Sequence, residues 1–124
     1  MKTKREVVTS ALRAIRVVPV FGTPSAEDFA LAAGNYDDLH AELTDQGLCY
    51  WTNTNNDTEE IPASVSAAME MMLSDSVATY YGKQSPNEQG EDGRVVSFRV
   101  AGMRRLKAHM AKKPSGEATE FSSY

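Results

Sequence analysis

A chain of 124 residues, 41% apolar and 24% charged, can bury one modest core and has neither a disordered nor a membrane composition. Its net charge of −4 speaks against a surface that is basic overall, and its one cysteine, Cys49, rules out an internal disulfide or a cysteine-cluster metal site. No run approaches the roughly 18 apolar residues of a membrane span, and the basic opening Met1 to Glu6 lacks the apolar segment of a signal peptide, so a reducing cytoplasm is the expected place of synthesis. Asn56-Asp57-Thr58 is then a chance match to a glycosylation sequon.

Charge is sorted along the chain. Residues 1–16 carry five bases and one acid, residues 17–93 carry fourteen acids and the single base Lys83, and residues 94–113 carry seven bases and no acid. Such sorting predicts separate acidic and basic surfaces. Two readings follow: solvated helix faces, or a basic helix of one copy meeting an acidic face of the next.

In chain order, a first helix is expected over residues 3–17, with Val8, Ala11, Leu12 and Ile15 on one stripe and Arg13 and Arg16 near its end. Val18-Pro19-Val20-Phe21-Gly22 breaks it. The second helix starts at a Thr23 or Ser25 cap, with Glu27 and Asp28 in its first turn. Phe29, Ala32, Ala33, Tyr36, Leu39 and Leu43 form its apolar face, Asp37, Asp38, Glu42 and Asp45 cover the rest, and Gly47 stops it. Leu48-Cys49-Tyr50-Trp51 reads as an extended stretch or a loop anchor, and residues 52–60 as a loop.

A third helix opens on Ile61-Pro62 and reaches about Tyr81, with Val65, Met69, Met72, Leu73, Val77 and Tyr80 buried and Gly82 as its stop. Residues 83–93 read as a solvated connector without a hydrophobic reason to fold. The fourth helix spans about residues 94–112. A strand starting at Val95-Val96-Ser97-Phe98 is the alternative, but no partner strand is legible. The expected fold is all-α, a small four-helix bundle in residues 1–113 with a flexible C-terminal extension in residues 114–124 that carries Phe121 and Tyr124.

No catalytic constellation is legible, so the chain is not expected to be an enzyme or to hold a cofactor or metal. His40 and Glu42 point about 200° apart on a helix and cannot share a metal locally. His40 and His109 read as surface histidines, and Cys49, without a fixed histidine partner in sequence, as a small apolar residue. The loop at residues 53–60 lacks the alternating ligands of a calcium loop, Gly90 and Gly93 follow no strand, and Met69, Met71 and Met72 read as core filling. Arg94, Arg99, Arg104, Arg105 and Lys107 supply phosphate contacts if the fourth helix meets nucleic acid, although no finger or helix-turn-helix frames them.

The whole pattern resembles the head-to-tail adaptor proteins of tailed bacteriophages, closest to the tail accessory factor, or packaged-DNA stabilisation protein, of short-tailed phages. The resemblance is carried by Ala11-Leu12-Arg13-Ala14-Ile15, Pro24-Ser25-Ala26-Glu27-Asp28, Leu39 and Leu43, Gly47-Leu48, Trp51, the loop to Glu60, Ile61-Pro62-Ala63 and Tyr80-Tyr81-Gly82. It covers residues 5–112. Trp51 follows Gly47 where the family pattern has its tryptophan earlier, and Val18 to Phe21 stand in place of a glycine-containing turn. The resemblance implies a virion protein at the head–tail junction, in a ring of typically twelve copies beneath the portal. It implies portal, tail-nozzle or tail-completion proteins as partners, with packaged DNA passing through the ring without sequence-specific contacts and no membrane. On that reading Arg94, Arg99, Arg104, Arg105 and Lys107 form the basic side of a subunit interface and Asp37, Asp38, Glu42 and Asp45 the acidic side, while Glu120, Phe121 and Tyr124 dock on the portal. The alternative is a small helical regulator that binds nucleic acid through residues 94–113.

Overall fold

The computed structural model describes residues 2–54, 56, 58–84, 86–89 and 94–112. Strand β1 (Lys2–Thr3) leads directly into helix α1 (Lys4–Ala14), followed by α2 (Ala26–Asp45), β2 (Glu60–Ile61) and α3 (Ala63–Ala78). A 3-10 turn, Thr79–Tyr81, extends α3; β3 (Asn87–Gln89), β4 (Val95–Ser97) and α4 (Phe98–Lys112) complete the described chain.

Each helix boundary has a local cause. Thr3 caps α1 through a reciprocal box: the Glu6 amide donates to the Thr3 hydroxyl at 3.2 Å, and the Thr3 amide donates to the Glu6 carboxylate at 2.9 Å. Ser25, rather than Thr23, caps α2 by accepting from the Asp28 amide at 3.2 Å. At the other ends, Gly47 and Gly82 take left-handed conformations, and the amides of Leu48 and Lys83 reach back to the carbonyls of Leu43 and Ala78. The same closure ends α1 three residues before the expected limit, with Arg16 in the left-handed position at φ 63° and the Val17 amide donating to Leu12. An arginine at that place carries no glycine signal, so this helix stop is not legible in the sequence.

The core is one cluster gathered around α3, which touches α1, α2 and α4. Val65, Met69, Met72, Leu73 and Val77 of α3 are fully buried, as are Val7, Val8, Ala11 and Leu12 of α1, Ala32 and Leu43 of α2 and Leu106 of α4. The expected stripes of the first three helices hold with one exception. Tyr80 is exposed, because the tighter 3-10 turn rotates it out while Tyr81 turns inward and donates to Asp28 at 3.0 Å. Burial and that carboxylate push the Tyr81 hydroxyl up to about 12.

Two expectations are corrected. The described chain is mostly helical but not all-α, since it also holds two small antiparallel sheets, one of β1 with β2 and one of β3 with β4. β1 pairs with β2, Lys2 opposite Ile61 and Thr3 opposite Glu60, which ties the chain start to the entrance of α3. β3 pairs with β4, Asn87 opposite Ser97 and Gln89 opposite Val95, so the stretch read as a solvated connector supplies the partner strand that the sequence did not reveal. The β-branched pair Val95-Val96 favours the extended form, and the Phe98 amide donates to the Pro86 carbonyl at 2.9 Å, so α4 starts at Phe98 and not at Arg94.

α4 runs against α3 at unusually close range. A Cβ added at Gly102 would lie 2.8 Å from the Met72 Cγ and 2.9 Å from the Ala68 carbonyl oxygen. The carbonyl is backbone and cannot move aside as a side chain can. Gly102→Val is therefore expected to lower stability by about 2 kcal/mol through overpacking, read from the urea midpoint, and to loosen α4 before the rest. An unchanged midpoint would mean that the two backbones do not meet at this position.

Candidate interaction surface

The charged residues singled out from the sequence divide into those used inside the chain and those presented outward. Arg99, half-buried at the start of α4, donates its amide to the Asp75 carboxylate of α3 at 3.0 Å, and its guanidinium pairs with Glu42 of α2. The basic fourth helix and the acidic second helix thus meet within one chain, at least through this pair. Arg105 pairs with Glu88 of β3 at 2.5 Å and clasps the small hairpin to α4. Both pairs are substantially exposed, so each contributes only a fraction of a kcal/mol and mainly fixes orientation.

Asp37 is also engaged internally. It accepts from the Lys4 ammonium at 2.7 Å and from the Asn53 amide at 2.8 Å. Lys4 is buried, with the Thr54 carbonyl at 3.2 Å and the Tyr36 ring 5.3 Å away, so Asp37 compensates a cation that has little access to water. Asp37, Glu42, Arg99 and Arg105, expected at a subunit interface, are thus each engaged in a pair within the chain. Asp38 and Asp45 on α2, and Arg104 and Lys107 on α4, are exposed. Arg94 is exposed just ahead of β4. Glu120, Phe121 and Tyr124 lie outside the described residues.

Arg104 and Lys107 border a groove of about 450 Å³ along the outer side of α4. Val100 and Met103 form its apolar part, and Asp75, Ser97 and Arg99 close it. Val100 is 43% exposed, a large apolar side chain left between cations. In the link between α1 and α2, Phe21 is 98% exposed in the Pro19–Gly22 turn. That turn is firm, with the Gly22 amide donating to Pro19 and the Arg13 guanidinium donating to the Gly22 carbonyl, both at 2.9 Å.

The segment after α2 is an anchor, not a strand. Trp51 is buried and donates its indole N–H to the Tyr36 hydroxyl at 3.2 Å, while Tyr50 packs edge-on to it. Here sequence reasoning missed a pairing: His40 is half-buried and stands 3.0 Å from the Cys49 sulfur. The geometry argues for a clasp over a reactive pair. His40 Nε2 lies 2.8 Å from the Trp51 carbonyl, which only accepts, so that nitrogen carries its hydrogen and has no lone pair for the thiol proton. Burial also pushes the Cys49 thiol up, away from the thiolate. His109, likewise half-buried and not simply a surface residue, sits 3.4 Å from the Tyr50 hydroxyl and 3.3 Å from Ser64. It links the end of α4 to the anchor. A spacing of nine residues between His40 and Cys49 across a helix end gave no sequence signal.

Among the described residues, no three His, Cys, Asp or Glu side chains gather as a metal site, and no helix is long and apolar enough to cross a membrane. No known family model, curated protein or solved structure matches this chain.

The loop beyond the anchor is held by Glu59. Thr52 donates to its carboxylate at 2.7 Å and the Thr54 amide at 2.5 Å, while its carbonyl accepts from the Lys4 amide. Burial alone would raise the Glu59 carboxyl, but these donors together hold it below the ordinary 4.5. A depressed folded value means that the carboxylate steadies the loop above the ordinary range and loses that effect as pH falls through the folded value. Amide exchange at Thr54 is expected to accelerate on acidification below about pH 4.5, beyond the intrinsic chemical trend, and Glu59→Gln to abolish that dependence. An identical pH profile in the variant would show that Glu59 does not order the loop.

Proposed function

We propose that the chain is a structural adaptor of a tailed-phage virion, a protein whose work is binding other proteins. Its four helices act as a bundle that forms the wall of a ring beneath the portal, extends the DNA channel, retains the packaged genome and connects to tail proteins. The single observation that supports this reading is the outward charge sorting: α4 presents Arg104 and Lys107 around an apolar groove, and α2 presents Asp38 and Asp45. Opposite signs on different helices of one chain suit a head-to-tail contact between copies, the geometry that closes rings. The pair Arg99–Glu42 is a small internal instance of the same match. The resemblance in residues 5–112 supplies the biological setting, and residues 114–124 are the segment proposed to grip the portal.

The cationic groove on α4 also supports a second reading, a small regulator that binds nucleic acid through the basic helix. The two readings separate on charge reversal. Under the adaptor reading, Arg104→Glu with Lys107→Glu prevents assembly on a cognate portal ring, and so does Asp38→Lys with Asp45→Lys. An equimolar mixture of the two variants regains it, because each altered face then meets an altered partner. Negative-stain microscopy and sedimentation of the mixtures report the outcome. Assembly indifferent to either reversal would overturn the proposed interface. Binding to a DNA duplex that weakens with salt, is lost with the α4 reversal and is untouched by the α2 reversal would favour the regulator.

A further inference from the structure

The basic start of the chain has no part in the proposed subunit contacts. Lys2 of β1 and Arg5 and Arg13 of α1 are exposed and line one open pocket of about 440 Å³, together with the hydroxyl residues Ser10 and Thr23. Glu6 is the acid in its lining, and its carboxylate is already turned to the Thr3 amide at 2.9 Å. Three cations, donating hydroxyls and one committed carboxylate make the pocket complementary to anionic oxygen.

Existing contacts hold these cations in place. The Arg5 guanidinium lies over the Phe29 ring at 4.5 Å, and Arg13 donates to the Gly22 carbonyl at 2.9 Å. That carbonyl is neutral, so the bond fixes Arg13 without cancelling its charge. Lys2 pairs with Glu70 at 2.7 Å, but its side chain is 46% exposed, and such a pair is weak enough for a second anion to share the ammonium. Arg5 and Arg13 lie eight residues apart on one face of α1, about 12 Å at 1.5 Å per residue. One phosphate group is too small to meet that row, whereas a run of linked phosphates follows it.

Arg13 also ties the pocket to an aromatic ring. The Gly22 carbonyl that it holds belongs to the turn in which Val20 is 71% and Phe21 98% exposed. Phe21 stands two residues before Thr23, so their Cα atoms lie within about 7 Å of each other. An uncovered ring on a firm turn beside a cationic row is a stacking platform, and only an unpaired strand offers both its phosphates and the faces of its bases.

We propose that this surface binds single-stranded nucleic acid, with phosphates along Lys2, Arg5 and Arg13 and one base stacked on Phe21. It shares no residue with the α4 groove or with the acidic face of α2. It needs neither a ring nor a portal, so it stands or falls apart from the proposed assembly.

Fluorescence anisotropy of a labelled short oligo(dA) strand, titrated with the full-length protein at several salt concentrations, tests the proposal. Phe21→Ala is expected to weaken binding about fivefold or more, and Phe21→Trp to restore it. Lys2→Gln with Arg5→Gln is expected to flatten the salt dependence by about 1.4 in the log–log slope, the share of two phosphate contacts on a single strand. These variants leave the Arg13 clamp in place, and an unchanged urea midpoint would verify folding. A strand of the same length without bases should bind wild type and Phe21→Ala alike. Oligo(dA) binding indifferent to Phe21→Ala would overturn the proposal, as would a duplex that depends on Phe21 as strongly as the strand. So would binding lost with Arg104→Glu and Lys107→Glu but kept with the α1 changes. Phe21-dependent uptake on phosphatidylserine-containing vesicles, with no binding of the strand, would also overturn it and make the occupant a lipid surface.

Discussion

Gly102 brings the backbone of α4 down onto α3, where any larger residue would meet Met72 and the Ala68 carbonyl. The rest of the surface depends on that approach. With α4 seated there, Leu106 is fully buried, Arg99 reaches Asp75 and Glu42, and His109 reaches the Tyr50–Ser64 corner. The opposite side of the helix then faces outward with Val100, Arg104 and Lys107. α3 itself is the shared inner element: its buried residues touch the other three helices, and its charges are few. Burial of its Val, Leu and Met side chains, each contributing roughly 1.5–3 kcal/mol relative to exposure, makes it the natural centre of stability.

Around this centre, polar contacts fix orientation more than they add energy. Lys4 is the exception. A buried ammonium is costly unless paired, so Asp37, the Thr54 carbonyl and the Tyr36 ring together make the entrance of α1 depend on the loop after the anchor. Trp51 closes the same region through Tyr36 and His40. The β1–β2 pair completes it by joining the first residues to the start of α3. What appears in sequence as a polar loop of Asn and Thr is therefore a structural joint between three elements.

The helices were legible because their signals are local: apolar residues at three- and four-residue steps, Ser25 ahead of two acids, and Gly47 and Gly82 at left-handed stops. Their buried faces followed from the same spacing. The two small sheets were not legible, because strands of two or three residues have no period of their own and exist only through a distant partner. For the candidate surface, the sign of each face could be read, but not which charges are already matched. Asp37 lies next to Asp38 in sequence, yet one neutralises a buried lysine and the other faces solvent. The Arg99–Glu42 and Arg105–Glu88 pairs join residues 57 and 17 positions apart, a distance no spacing rule covers. The His40–Cys49 clasp was hidden for the same reason, since a helix end reverses the chain between them.

α3 lies at the centre of the core, and the outer faces of α2 and α4 carry exposed charge. Native-state hydrogen exchange on the free protein tests this most directly, because it ranks the free energy of opening residue by residue. Amides of residues 69–77 in α3 are expected to exchange last, only through global unfolding, while those of α4 beyond Leu106 open earlier. Amides of α2 or α4 that outlast α3, or an α3 that opens first, would contradict the account.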